Sequence, residues 1–335
     1  VISWAIGYDV DDVDEDGSST DNRSWLLADI LHSKPLVINY GARGSFTLAT
    51  PDLRIVAGTN AGFLHMFGNS DGEEDWAFFG KELGAVLTAR KENFSTASHV
   101  YGIDAPTVVY TKDINFDGTL DSSAGDKAWL YAGLRRGGRI IYALDVSNPD
   151  APAFLWQIDE TTAGFSELGL TFSVPVVTKI PGYVDVNGIP KPVLIFGAGY
   201  DLNKDAHDAI AAAGDTMGRG VFVVDAETGA LVWSVTPAAD SATNLQETGL
   251  IHSVAGSVTP LDSNGDELTD RVYFGDTGGN LWRIDMPYNT LPTASQDTWR
   301  IVKMFSANGG TQRTDRRFFN APDVVRTSLE GNPFD

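Results

Sequence analysis

The chain has 335 residues, 42% of them apolar, which is enough for a large core in one all-β domain or in two smaller domains. A formal net charge of −21 makes its surface repel nucleic acid phosphate and anionic lipid headgroups, so nucleic acid is not expected as a partner. The absence of cysteine excludes disulfides, thiolate metal sites and cysteine nucleophiles, and no apolar run approaches the roughly 18 residues of a membrane helix, so no direct membrane insertion is expected.

Val1 begins without the basic and apolar pattern of a signal peptide, and we read residues 1–335 as a single domain excised from the C-terminal part of a larger secreted protein. The first distinctive segment is the acidic run Asp9 to Asp16. Within it Asp12-Val13-Asp14-Glu15-Asp16-Gly17-Ser18-Ser19-Thr20 places oxygens at alternate positions, but position nine is held only by Thr20, which leaves open an ion site or a charged linker.

Beyond it, one short strand pattern, often containing proline, occurs five times. The copies are His32-Ser33-Lys34-Pro35-Leu36-Val37, Asp104-Ala105-Pro106-Thr107-Val108-Val109, Ser173-Val174-Pro175-Val176-Val177, Gly256-Ser257-Val258-Thr259-Pro260 and Asn320-Ala321-Pro322-Asp323-Val324-Val325. After most copies comes a strand ending in glycine, then further strands and a tryptophan: Ile55 to Gly58 and Trp76, Leu130 to Gly133 and Trp156, Val193 to Gly197 and Trp233, Val272 to Gly275 and Trp299. Each unit is long enough for a four-stranded sheet plus an insertion, and such a sheet must bury both faces against neighbours, which predicts a β-propeller; a twisted β-sandwich is the competing architecture. The fifth copy predicts a blade completed by N-terminal strands, unless the chain stops short of it. Helices are expected around Lys81 to Arg90 and from His207 to Ala213. Asp225-Ala226-Glu227-Thr228-Gly229 predicts the turn between the outer strands of a blade, with Trp233 filling the space between blades.

Two loops point to a metal. Asp262, Asn264, Asp266 and Asp270 put side-chain oxygens at positions one, three, five and nine, and Leu268 offers a backbone carbonyl at seven. Asp113, Asn115, Asp117, Thr119 and Asp121 repeat the spacing, with Gly118 at the sharp turn of position six, where the first loop has Glu267. Ca²⁺ takes six to eight oxygens, and alternate residues of a tight turn direct theirs to one centre, so these EF-hand-like loops are expected to bind calcium between strands. A solvated acidic turn is the plainer alternative.

The five histidines at 32, 65, 99, 207 and 252 form no metal-binding pair, the glycine stretches at 137–138 and 275–279 lack a phosphate-binding lysine and read as turns, and no Gly-x-Ser-x-Gly elbow is present. No enzyme is expected from these residues.

The segments Leu26 to Pro35, Gly133 to Arg139 with Tyr142 to Val146, and Asp270 to Asp285 resemble the C-terminal propeller of the PilC/PilY family of type IV pilus proteins. The resemblance implies a modified, quinoprotein-dehydrogenase-like propeller with seven blades and calcium loops inserted in it. It also implies a non-enzymatic protein of the pilus tip or outer cell surface that works in adhesion, twitching motility and pilus extension and retraction, with pilins, minor pilins and a host surface as partners. The Asp262 loop matches the calcium loop of the family, with Asn264 in place of an aspartate. The Arg-Gly-Asp tripeptide of some relatives is absent. The alternative function is a calcium- and pyrroloquinoline-quinone-dependent dehydrogenase, which the propeller type permits.

Overall fold

A computed structural model describes residues 1–24, 26–92, 99–206, 213–293, 298–325, 327–329 and 332–334. The expected helix from His207 to Ala213 lies almost entirely outside these residues. The other expected helix is present as a 3₁₀ turn, Lys81–Leu83, running into an α-helix, Gly84–Glu92.

Strand-forming residues dominate the rest. The first sheet is β1 (Leu36–Asn39), β2 (Leu53–Gly58), β3 (Phe63–Gly68) and β4 (Glu74–Phe79). The second is β5 (Thr107–Lys112), β6 (Lys127–Gly133), β7 (Ile141–Asp145) and β8 (Ala153–Ile158). The third is β9 (Val176–Val184), β10 (Pro190–Gly197), β11 (Val221–Asp225) and β12 (Leu231–Thr236), edged by the short parallel strand β13 (Asn244–Gln246). The fourth is β14 (Thr259–Leu261), β15 (Arg271–Gly275), β16 (Asn280–Asp285) and β17 (Arg300–Ser306). In each, the strands run antiparallel in chain order from first to fourth. A further hairpin, β18 (Thr327–Leu329) with β19 (Asn332–Phe334), pairs with itself.

The sheets repeat in detail. Each has a register shift between its third and fourth strands, at Met66/Phe67, Ala143/Leu144, Val223/Val224 and Leu281/Trp282. Such a bulge increases the local twist, and twisted sheets pack around an axis. Pro35, Pro106 and Pro175 stand immediately before β1, β5 and β9, and Pro260 lies within β14. All four strands are sheet edges, where a residue with no N–H to donate is tolerated. Those innermost strands lie beside one another, β1 by β5, β5 by β9 and β9 by β14.

The core follows from strand periodicity. In β6, Ala128, Leu130 and Ala132 pack with Ile38, Val56, Leu64 and Met66 of the first sheet. The alternating Trp129 and Tyr131 pack with Leu194, Phe196, Phe222 and Val224 of the third. In β10 and β11, Val193, Ile195, Val221 and Val223 turn the other way, onto Val272, Phe274, Trp282 and Ile284 of the fourth sheet. Successive residues of a strand face opposite sides, so a strand apolar on both sides serves two neighbours. Trp233 and Trp299 meet edge to face, 4.9 Å between centroids, in the seam between the third and fourth sheets. Trp156 is buried in the seam between the second and third, while Trp76 is half-buried.

The molecule is thus an all-β propeller assembly, with four radial sheets among the described residues; the expected number of seven blades goes untested in this span. The fifth strand pattern forms no strand through Val325, and the Thr259 hydroxyl donates to the Pro322 carbonyl beside β14. Among the described residues no N-terminal strand pairs with it.

Candidate metal centre

The two acidic loops occupy equivalent places, Asp113 to Asp121 between β5 and β6 and Asp262 to Asp270 between β14 and β15, each joining the first strand of its sheet to the second. Their internal hydrogen bonds correspond position by position. At position one, Asp113 accepts the amides of Phe116 and Gly118 at 2.7 and 2.8 Å, and Asp262 accepts those of Gly265 and Glu267 at 2.6 and 2.8 Å. At position three, Asn115 and Asn264 accept the amides of Asp117 and Asp266. At position five, Asp117 and Asp266 accept those of Thr119 and Leu268, and each asparagine amide donates to the carboxylate two residues on. Local side-chain acceptors of this kind hold a turn that the backbone alone would not keep.

Positions four and six are both left-handed. In the first loop these are Phe116, φ 59°, and Gly118, φ 79°; in the second, Gly265, φ 86°, and Glu267, φ 67°. Each loop therefore carries one glycine for two strained positions, at opposite places. Glu267 does not alter the turn as its residue type suggests; it adopts the same conformation at the cost of the Cβ clash that glycine avoids. Asp262 lies below the ordinary carboxylate range: loss of solvent would raise it, but the four amides from Asn264, Gly265, Asp266 and Glu267 outweigh that.

The loops close differently. Asp270 accepts the Ser263 amide and hydroxyl, closing position two from the residue just before β15. In the other loop the position-two amide, that of Ile114, goes to Asp126, the buried residue just before β6, which also accepts the Asp121 amide at 2.9 Å. Asp121 instead turns to Ser123 and caps the 3₁₀ turn Ser122–Ala124. Asp126 thus stands where Asp270 stands, a residue missed in the sequence although Asp126-Lys127 before a strand repeats Asp270-Arg271. At position eight both loops are bonded to the preceding sheet: the Leu120 amide to the Tyr40 carbonyl at 3.1 Å, and the Thr269 amide to the Lys179 carbonyl at 2.8 Å.

The N-terminal run shares the two left-handed positions, though its position one, Asp12, is left-handed as well, with φ 48°. Glu15 and Gly17 at positions four and six have φ 59° and 88°. Asp12 accepts the Gly17 amide, Asp14 that of Asp16 and Asp16 that of Ser18. The Asp14 carboxyl lies above its ordinary range, through loss of solvent and then through the charges of Asp16, Asp21 and Asp9. Among the described residues, three carboxylates with oxygens mutually within 4.8 Å occur only here, as Asp12, Asp14 and Asp16 and as Asp9, Asp14 and Asp21. The donors of all three loops are oxygens, which fits calcium. In the Asp113 and Asp262 loops, the position-nine side chains would have to swing inward to join positions one and five.

The histidines make ordinary contacts, His32 with Asp104 and His65 with Glu74, while burial lowers the pKa of His252; His207 lies outside the described residues. The turn at Asp225 forms as expected, its carboxylate accepting the amides of Glu227 and Thr228.

Residues 37–301 match the model of a family described as the PilY1 beta-propeller domain. The type IV pilus biogenesis factor PilY1 of Pseudomonas aeruginosa strain UCBPP-PA14 is 29% identical over 332 residues, covering 92% of this chain and 25% of the relative. A PilY1 homolog of Xylella fastidiosa is 26% identical, covering 85% of this chain and 21% of the relative. The chain therefore spans about a quarter or less of these relatives. The crystal structure of the Pseudomonas aeruginosa PilY1 C-terminal domain aligns with a TM-score of 0.52 at 25% identity, over 82% of this chain and 50% of that one. The family match over most of the length and the repeated radial sheets agree: the chain belongs to the PilY1 beta-propeller domain family.

Proposed function

We propose that this chain is a calcium-binding, non-enzymatic module of a type IV pilus-associated surface protein, acting in pilus extension and retraction, twitching motility and adhesion. Its curated relatives carry the name of type IV pilus biogenesis factors. In this reading the parent protein is secreted and works at the outer membrane or cell surface, with pilins or minor pilins as partners and a host surface as a further one. The observation that carries the calcium part is the matching hydrogen-bond scaffold of the Asp113 and Asp262 loops at equivalent places in two sheets.

Asp113, Asn115, Asp117 and the Thr119 carbonyl would hold one ion, with Asp121 or Asp126 closing the site; Asp262, Asn264, Asp266, the Leu268 carbonyl and Asp270 would hold another. The bound ion neutralises carboxylates that otherwise repel, and the loop stiffens. Since position eight is tied to the neighbouring sheet, stiffening reaches the junction between sheets.

Calorimetric titration with calcium chloride tests the reading. Asp262→Ala and Asp270→Ala each lose one equivalent of calcium, with far-UV circular dichroism unchanged. Unchanged stoichiometry in both variants refutes it. Alcohol-dependent dye reduction after adding pyrroloquinoline quinone and calcium would refute the non-enzymatic part.

A further inference from the structure

Away from the acidic loops, a lysine and an aspartate meet in a dry site between the third and fourth sheets. Lys204 lies in the 3₁₀ turn Leu202–Asp205 that follows β10, and Asp215 stands ahead of β11. Their side chains are 1% and 0% exposed, and Nζ of Lys204 lies 3.2 Å from Oδ1 of Asp215. Lys191, the partner of Asp225, is by contrast 29% exposed.

The two oxygens of Asp215 are treated differently. Oδ2 accepts the Ser253 amide at 2.6 Å and the Thr277 hydroxyl at 2.8 Å. Oδ1 is buried with no hydrogen-bond partner, because the Lys204 ammonium directs its bond past it to the Ala213 carbonyl at 2.6 Å. Nζ therefore rests against the carboxylate without a hydrogen bond to the oxygen nearest it. One further carboxylate holds both chain segments in register. Asp201 accepts the Asn203 amide at 3.0 Å, inside the turn that carries Lys204, and the Thr216 amide at 2.7 Å, next to Asp215. The Lys204 amide donates to the Asp201 carbonyl at 3.2 Å, and Arg317 donates to the Lys204 carbonyl at 2.8 Å. Two charges taken out of water are costly unless fully hydrogen-bonded, and a nucleophile fixed beside its electrophile reacts as though at very high concentration.

We propose that Lys204 and Asp215 condense into an intramolecular isopeptide bond. A proton passes from Nζ to Oδ1, which replaces two buried charges by a neutral amine and acid. The Nζ lone pair then forms a bond to Cγ, and the charge that develops on Oδ2 is met by the Ser253 amide and the Thr277 hydroxyl. The bond from Cγ to Oδ1 breaks, and Oδ1 leaves as water with two of the three ammonium protons. The third stays on the new amide nitrogen, which keeps the Ala213 carbonyl as acceptor, and no oxidant or cofactor is required. In a chain without cysteine, such a bond supplies a covalent tie that disulfides cannot. The inference does not depend on calcium binding by the loops.

Intact-mass spectrometry of the full chain, denatured after purification, tests this. The wild-type chain is expected one water lighter than its sequence, and a protease digest is expected to yield a branched peptide joining residues 204 and 215. Lys204→Arg and Asp215→Ala are each expected at full mass. A wild-type chain at full mass overturns the inference. So does a water loss that persists in Lys204→Arg, as a succinimide at an Asp-Gly step such as Asp71-Gly72 would. If neither variant folds, the wild-type digest decides: the branched peptide upholds the bond, and its absence overturns it.

Discussion

Asp225 and Asp262 both sit at turns between strands, and both have carboxylates held below the ordinary range, yet their surroundings differ. At Asp225, burial would raise the pKa, but the Lys191 ammonium, the Tyr183 hydroxyl and Thr228 outweigh it, and the side chain is 1% exposed. At Asp262 only backbone amides oppose the loss of solvent, and the surrounding side chains are Asn264, Asp266 and Glu267. The first aspartate has its cation built in. The second is preorganised by dipoles, the arrangement that the cation of the proposed function would complete.

The contrast can be broken by removing each carboxylate. Asp225→Ala leaves Lys191, Tyr183 and two amides without their acceptor, and about 2–4 kcal/mol of stability is expected to be lost, read from the urea midpoint. A loss no larger than that of Asp262→Ala in metal-free buffer would erase the distinction. Calcium at a hundred times the dissociation constant raises stability by about 2.7 kcal/mol per occupied loop, and Asp262→Ala removes one such increment while Asp225→Asn removes none. Thermal melts with and without chelator check this.

Asp126→Ala sharpens the comparison within the loop class. It frees two amides at a buried site, with about 1–3 kcal/mol lost, whereas Asp121→Ala, at an exposed cap, costs less. Equal effects would mean that the two aspartates close the Asp113 loop jointly. The pH dependence has a definite sign. Because the folded pKa of Asp225 is depressed, its contribution is complete above the unfolded value of about 3.9 and disappears as pH falls through the folded value, and Asp225→Asn flattens that acid limb. The smallest effect expected is at Glu267: Glu267→Gly relieves a left-handed non-glycine residue and raises metal-free stability by a few tenths to about 1 kcal/mol.

Much of this was legible in the sequence, because the signals were local. Strand alternation, proline before the innermost strands, the Asp225 turn and the buried tryptophans each depend on residues close together in the chain. The alternating oxygens were equally local, and the loops lie where the repeats put them. What escaped was set by pairing at a distance. Asp126 closes its loop from beyond the four residues Ser122 to Gly125 that separate it from Asp121, so counting positions selects the wrong neighbour for Ile114. Asp9 and Asp21 meet only because Tyr8 pairs with Asn22, a single bridge with no period to betray it. Phe116 and Glu267 at positive φ contradict their own preferences, and the amides gathered by the oxygens at positions one, three and five hold the turn there.

The bonds from Leu120 to Tyr40 and from Thr269 to Lys179 have a mechanical consequence. A load that pries the second sheet from the first, or the fourth from the third, must break the backbone fastening inside an acidic loop as well as the apolar seam. The resistance of these two joints to shear is therefore set partly by segments a few residues long, whereas the joint between the second and third sheets is fastened from within its apolar seam, where the Tyr131 hydroxyl and the Trp156 indole both donate to the Ala226 carbonyl.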